Sequence, residues 1–104
     1  MIRVNFYKKG DMLTGFECKG HAESAEYGQD ILCAFVSSAC YMTANTVTEV
    51  LKLSADTRVT DGYMRVSNIS SPEKAQDILK GMLLHMEELQ KDYPEKIKVI
   101  TTEE

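Results

Sequence analysis

Residues 20–53 read GHAESAEYGQDILCAFVSSACYMTANTVTEVLKL, and this stretch decides how the 104-residue chain is organised. A polar segment with glycines near both ends, residues 20–29, runs into a long apolar one. The apolar spacing predicts a helix from Ile31 to Leu53. Asp30 suits its N-cap, where a carboxylate can accept an unpaired backbone N–H of the first turn. Apolar residues fall nearly all round that helix, among them Ile31, Leu32, Phe35, Val36, Ala39, Met42, Val47, Val50 and Leu51. Such a helix is expected to be buried on most sides. In a chain this short, that places it between a sheet and another layer, such as a dimer partner. Residues 20–29 read as an exposed loop, with Gly20 and Gly28 as hinges.

Upstream of this stretch, Ile2, Val4 and Phe6 share one face with period two, so residues 2–8 read as a strand. Lys9-Gly10-Asp11 is a turn, and residues 12–19 form a second strand weakened by Gly15, closing a hairpin. Downstream, residues 55–61 and 63–69 alternate around Asp61-Gly62, a strong hairpin signal. Ser71 at the cap and Pro72 at the first position open a second helix. Its apolar stripe is Ala75, Ile78, Leu79, Met82, Leu83, Met86 and Leu89. Pro94 ends it, and residues 96–101 make a last strand. The order ββαββαβ predicts one α+β domain over residues 1–104, with a two-layer build and a mostly antiparallel sheet packed with two helices.

Hydrophobic residues at 43% and charged residues at 27% match an ordinary globular domain. Met1 to Phe6 alternates like a strand and does not resemble a targeting segment. No apolar run approaches the length needed to span a bilayer, so no membrane partner is expected. The net charge is −4 and the basic residues are scattered, which argues against direct nucleic-acid binding. Three cysteines, an odd number, point to a reducing cytoplasm. A zinc site would have to assemble Cys18, His21, Cys33 and His85, and none is expected.

The chemistry-bearing feature is His21 followed twelve residues later by Cys33. On this reading Cys33 is the third helical residue, near unpaired N–H groups and the positive end of the helix dipole. Both would favour a thiolate, and the same N–H groups could receive an oxyanion. The ordinary alternative is a small buried core residue. His21 lies at a strand end beside Gly20, where a short loop can return the chain towards Cys33. It is therefore the candidate base. His85, inside the second helix, reads as an ordinary surface or core residue. Asp30 has two readings, cap or orienting group for the imidazole. Ser37 shares the face of Cys33 one turn on, whereas Ser38 points elsewhere. Cys18 and Cys40 read as core. Glu23, Glu26 and Tyr27 either meet a substrate or are solvated.

Gly20-His21-Ala22, Glu26-Tyr27-Gly28, Asp30-Ile31 and Cys33-Ala34 with Ser37 resemble the Prp family of bacterial ribosomal-processing cysteine proteases, and the likeness extends over nearly the full chain. The resemblance implies a peptidase that removes the N-terminal extension of the large-subunit ribosomal protein numbered twenty-seven, cutting after a paired aromatic segment. By position, Cys33 would be the nucleophile and His21 the general base, with Gly20, Asp30 and Ser37 in support. A gating loop would include Ala22, Glu23, Glu26, Tyr27 and Gly28. No cofactor is implied, and a homodimer is. The chain departs from the family by carrying Phe35 and Val36 where small residues are frequent. Two other classes stay open. One is a non-enzymatic ribosome-associated or regulatory binding domain. The other is a redox thiol protein in which Cys40 or Cys18 resolves an oxidised Cys33, although ~10 Å of helical rise separates Cys33 from Cys40.

Overall fold

The computed structural model describes residues 1–20 and 27–104, and of residues 27–30 it describes the backbone. Five strands form one sheet in the order β3-β4-β2-β1-β5. They are β1 (Ile2–Lys9), β2 (Met12–Lys19), β3 (Asp56–Thr60), β4 (Tyr63–Ser67) and β5 (Ile97–Glu103). Two helices, α1 (Tyr27–Asn45) and α2 (Gln76–Asp92), complete the expected ββαββαβ order. All neighbours are antiparallel except β5, which runs parallel to β1. The sheet is therefore mostly antiparallel, as its alternation predicts.

Period-two patterning sets which face is buried. Ile2, Val4 and Phe6 of β1 and Phe16 and Cys18 of β2 point into one core with α1 and α2. Arg3, Asn5 and Glu17 occupy the opposite, open face. The alternation of β2 slips where a β-bulge interrupts its pairing between Tyr7 and Lys8. Gly15, which looks like a weakness in the strand, is a close-approach position. A Cβ there would lie 2.4 Å from the Val66 carbonyl oxygen on β4. The second helix buries the stripe read from its spacing, including Leu79, Met82, Met86 and Leu89.

Several local expectations change. The first helix starts at Tyr27, so Asp30 is its fourth residue and not its N-cap. Gly28 is helical rather than a hinge. Its cost of ~1 kcal/mol against alanine is small enough for tertiary packing to override. The α-helix also ends earlier, at Asn45, and Thr46–Val50 continue as a π-helical turn. Thr46 and Thr48 donate their hydroxyls to the carbonyls of Met42 and Ala44, which compete with the α ladder. Ser71 makes no side-chain cap. It holds a left-handed backbone (φ 51°), and its carbonyl accepts the Lys74 N–H of a 3-10 turn, Pro72–Ala75, that leads into α2.

The first helix is also less enclosed than its composition suggests. Leu32, Cys33, Val36, Cys40 and Val47 are buried, but Ile31, Phe35 and Met42 form an exposed stripe, with Met42 59% exposed. Sheet packing covers one side of α1, and α2 flanks it without closing over the stripe. The segment Ile31–Val50 has a mean hydropathy of 1.3 over 20 residues. By length and composition it could therefore reach across a bilayer, contrary to the reading above. Its inward side is part of the core shared with the sheet.

Candidate active site

Two structural anchors flank the segment that carries the candidate histidine. The first is Gly20, immediately after β2. It adopts φ +86°, and a Cβ there would come within 2.6 Å of the Met1 carbonyl oxygen. Its N–H donates to the Gly62 carbonyl at the tip of the β3–β4 hairpin, 3.0 Å away. Only glycine turns the chain off the sheet here without strain and without displacing β1. The glycine before the histidine, read in the sequence as a hinge with backbone room, is thus a fixed turn.

The second anchor is the inward face of α1. Cys33 is buried on it, and Ser37, one turn later, is half-buried on the same face. Cys40 follows two turns after Cys33 and packs against Cys18 of β2 with its sulfur 2.7 Å from that of Cys18. That contact fixes α1 across the central strand. Cys33 is therefore held about 10 Å along the helix from a point on β2, and Gly20 lies two residues beyond the same point.

His21, Ala22, Glu23 and Glu26 lie outside the described residues, as do the side chains of Tyr27 and Asp30. For Asp30 the helix start decides one question. Because it lies within α1, the capping role is gone and the orienting role remains. The same shift corrects the setting of Cys33, which is the seventh helical residue and not the third. The unbonded N–H groups and the dipole's influence belong to the first turn, before Cys33 is reached. Neither an oxyanion cradle at the Cys33 N–H nor a dipole-stabilised thiolate follows from this geometry.

The other candidates separate cleanly. Ser38 is exposed and Phe35 half-exposed, and both line a groove of about 630 Å³ between α1 and α2, with Met42, Ile78, Met82 and His85. Cys33 is not among the groove's lining residues. His85 is exposed there, consistent with an ordinary surface residue. Val36, by contrast, is wholly buried beside Cys33's face, so the two departures from small residues point in different directions. Among the described residues, no group of three His, Cys, Asp or Glu side chains could hold a metal.

On the open face of the sheet, Tyr63 donates its hydroxyl to Glu17 Oε2 at 2.6 Å. This hydrogen bond, more than desolvation, pushes the Tyr63 phenol above its ordinary value. Tyr7, beneath the Arg65 guanidinium at 5.4 Å, is also raised, first by burial and then by the Glu17 charge. These groups brace β1, β2 and β4 from the side opposite Cys33.

Comparison with known proteins agrees with the fold and the residue pattern. The family model for the cysteine protease Prp matches residues 1–98. The ribosomal processing cysteine protease Prp of Bacillus subtilis is 30% identical over 109 residues, covering 97% of each chain. Among solved structures, SMU.848 from Streptococcus mutans superposes with a TM-score of 0.85 at 30% identity, covering 100% of this chain and 99% of that one. A second match is Prp from S. aureus in complex with a covalently linked product peptide. It gives a TM-score of 0.83 at 26% identity, over 98% of this chain and 100% of that one. The match over nearly the whole length, on a fold that presents a buried cysteine on the first helix after a pinned glycine, shows that this chain belongs to the Prp family of cysteine proteases.

Proposed function

We propose that this protein cleaves the N-terminal extension from the large-subunit ribosomal protein numbered twenty-seven, with Cys33 as nucleophile and His21 as its general base. The observation that carries the reading is the burial of Cys33 on the inward face of α1, the first helix after the fixed turn at Gly20 that precedes His21 in the chain. The relatives named as ribosomal processing proteases supply the substrate class. The S. aureus relative solved with a covalently linked product peptide is consistent with a peptide substrate.

In this mechanism His21 takes the Cys33 thiol proton and the sulfur attacks the scissile carbonyl carbon. The C–N bond then breaks as His21 returns the proton to the leaving amine. Water, deprotonated by the same imidazole, attacks the thioester and releases the acid and the thiol. Asp30 orients His21, Ser37 supports the sulfur's side of α1, and Ala22, Glu23, Glu26, Tyr27 and Gly28 form the segment that meets substrate. The reaction needs no cofactor. The exposed stripe of Ile31, Phe35 and Met42 supports association with a second copy of the chain, and cytoplasmic action fits the ribosomal substrate.

The test is mass spectrometry of the extended ribosomal protein after incubation with the wild-type chain or with Cys33→Ala. A single cut that frees the extension with wild type alone supports the proposal. No cut by folded wild type on the extended protein of the same organism overturns it in favour of a binding domain.

A further inference from the structure

Cys18 and Cys40 take no part in the reaction above, yet the Cys40 thiol donates to the Cys18 sulfur at 2.7 Å. They come from different elements, the central strand and α1, and both side chains are fully buried. A buried cysteine usually behaves as a small hydrophobe among carbon neighbours. Here two thiols meet head to head. Hydrogen bonding to Cys40, followed by burial, holds the Cys18 thiol far above its ordinary range, so Cys18 stays protonated while the core is closed. Among the described residues, no third metal-ligating side chain stands with them.

Their places in the chain give the contact a meaning. A link from Cys18 to Cys40 closes a loop that contains His21, Asp30, Cys33 and Ser37. It would tie both ends of the candidate catalytic segment to one point in the core. We propose that Cys18 and Cys40 are a modification site, forming a reversible disulfide that clips α1 to β2 and leaves the Cys33 sulfur outside the bond. This assignment does not depend on the substrate of the protease.

The oxidant is a small-molecule disulfide such as glutathione disulfide. When α1 parts from β2 and the thiols meet water, one cysteine gives up its proton, and its thiolate attacks a glutathione sulfur, breaking the S–S bond and releasing one glutathione thiolate. The second cysteine then displaces the other. The two protein thiols lose two electrons and two protons, and two reduced glutathiones carry them away. Because both thiols are buried, exchange proceeds through transient separation of α1 from β2, so the bond forms and breaks slowly.

The test equilibrates Cys33→Ala protein in mixtures of reduced and oxidised glutathione, once folded and once in urea, and reads the loss of two hydrogens by intact mass. A loop of this size favours the cross-link in the folded state by about a hundredfold over the unfolded chain. A folded-state constant no larger than that in urea overturns the proposal. In parallel, non-reducing digestion of oxidised wild-type protein is expected to give the Cys18 peptide joined to the Cys40 peptide. A cross-link that includes Cys33 overturns it, and this second measurement stands even if Cys33→Ala fails to fold.

Discussion

The side-chain amide of Gln76 makes both backbone hydrogen bonds of Leu13. The Leu13 N–H donates to Oε1 at 2.9 Å, and Nε2 donates to the Leu13 carbonyl at 2.7 Å. Nε2 also donates to the Pro72 carbonyl at 2.9 Å. The β2–β4 pairing covers only Phe16 to Lys19, so one side chain completes the edge of β2 where no strand lies alongside. Gln76→Ala strands both Leu13 groups and is expected to cost about 1–3 kcal/mol. Urea unfolding checks this through a lower midpoint with an unchanged m value.

Replacing Gly20 tests the turn before the histidine. Gly20→Ala meets both a positive φ and a close carbonyl, whereas Gly10→Ala meets a positive φ with nothing within 4 Å. The control is expected to lose ~1 kcal/mol of stability, the cost of the left-handed backbone alone. Gly20→Ala is expected to lose more, and to lower peptide cleavage beyond what its unfolded fraction explains. Thermal melts and cleavage rates on the two variants decide the matter.

Within the catalytic proposal, His21→Ala is expected to reduce kcat/KM by about 10²–10⁴. Cys33→Ser is expected to abolish cleavage while retaining peptide binding, measured by calorimetry. Cleavage by Cys33→Ser at the wild-type rate would remove the nucleophile assignment.

Asp30→Asn separates the two roles first open to that residue. Because Asp30 is inside α1, the substitution is expected to change stability by less than about 0.5 kcal/mol, well below the loss of a helix cap. If Asp30 orients the imidazole, kcat falls while the melting temperature holds. A drop in melting temperature with unchanged kcat would contradict this.

Alkaline titration probes the brace on the open face. The phenol of Tyr63 is raised when folded, so its contribution to stability is fully present below the unfolded tyrosine pKa near 10 and is lost as pH rises through the folded value. Tyr63→Phe is expected to flatten the loss of stability above about pH 10 relative to wild type. Denaturant midpoints across that range, with ultraviolet absorbance following phenolate formation, provide the check.

The element order was legible because periodicity survives folding. Ile2, Val4 and Phe6 announce a half-buried strand, and the Asp61-Gly62 turn lies where its two strands demand it. Helix ends were less legible, because capping signals are local while the ends are set by packing. Asp30 has the right chemistry for a cap, but the residues before it join the helix. Thr46 and Thr48 redirect the other end by bonding carbonyls four residues back. Cys33 and Ser37 share a face because helical spacing alone requires it. The meeting of Cys18 with Cys40, and of Gln76 with Leu13, depends on how α1 and α2 lie across the sheet. No local pattern encodes those contacts.

The parallel pairing of β1 with β5 has a consequence for synthesis. Ile2 is registered against Ile97, and Lys8 against Glu103, so the sheet cannot be completed until nearly a hundred further residues have followed β1. Pairings this distant in sequence form late and slowly. Until then one edge of the first strand stays unpaired, while its other edge is held by β2 and its apolar face is covered as α1 and α2 emerge. A protease assembled in this order gains its finished core only after β5, with the buried Ile97, has been made.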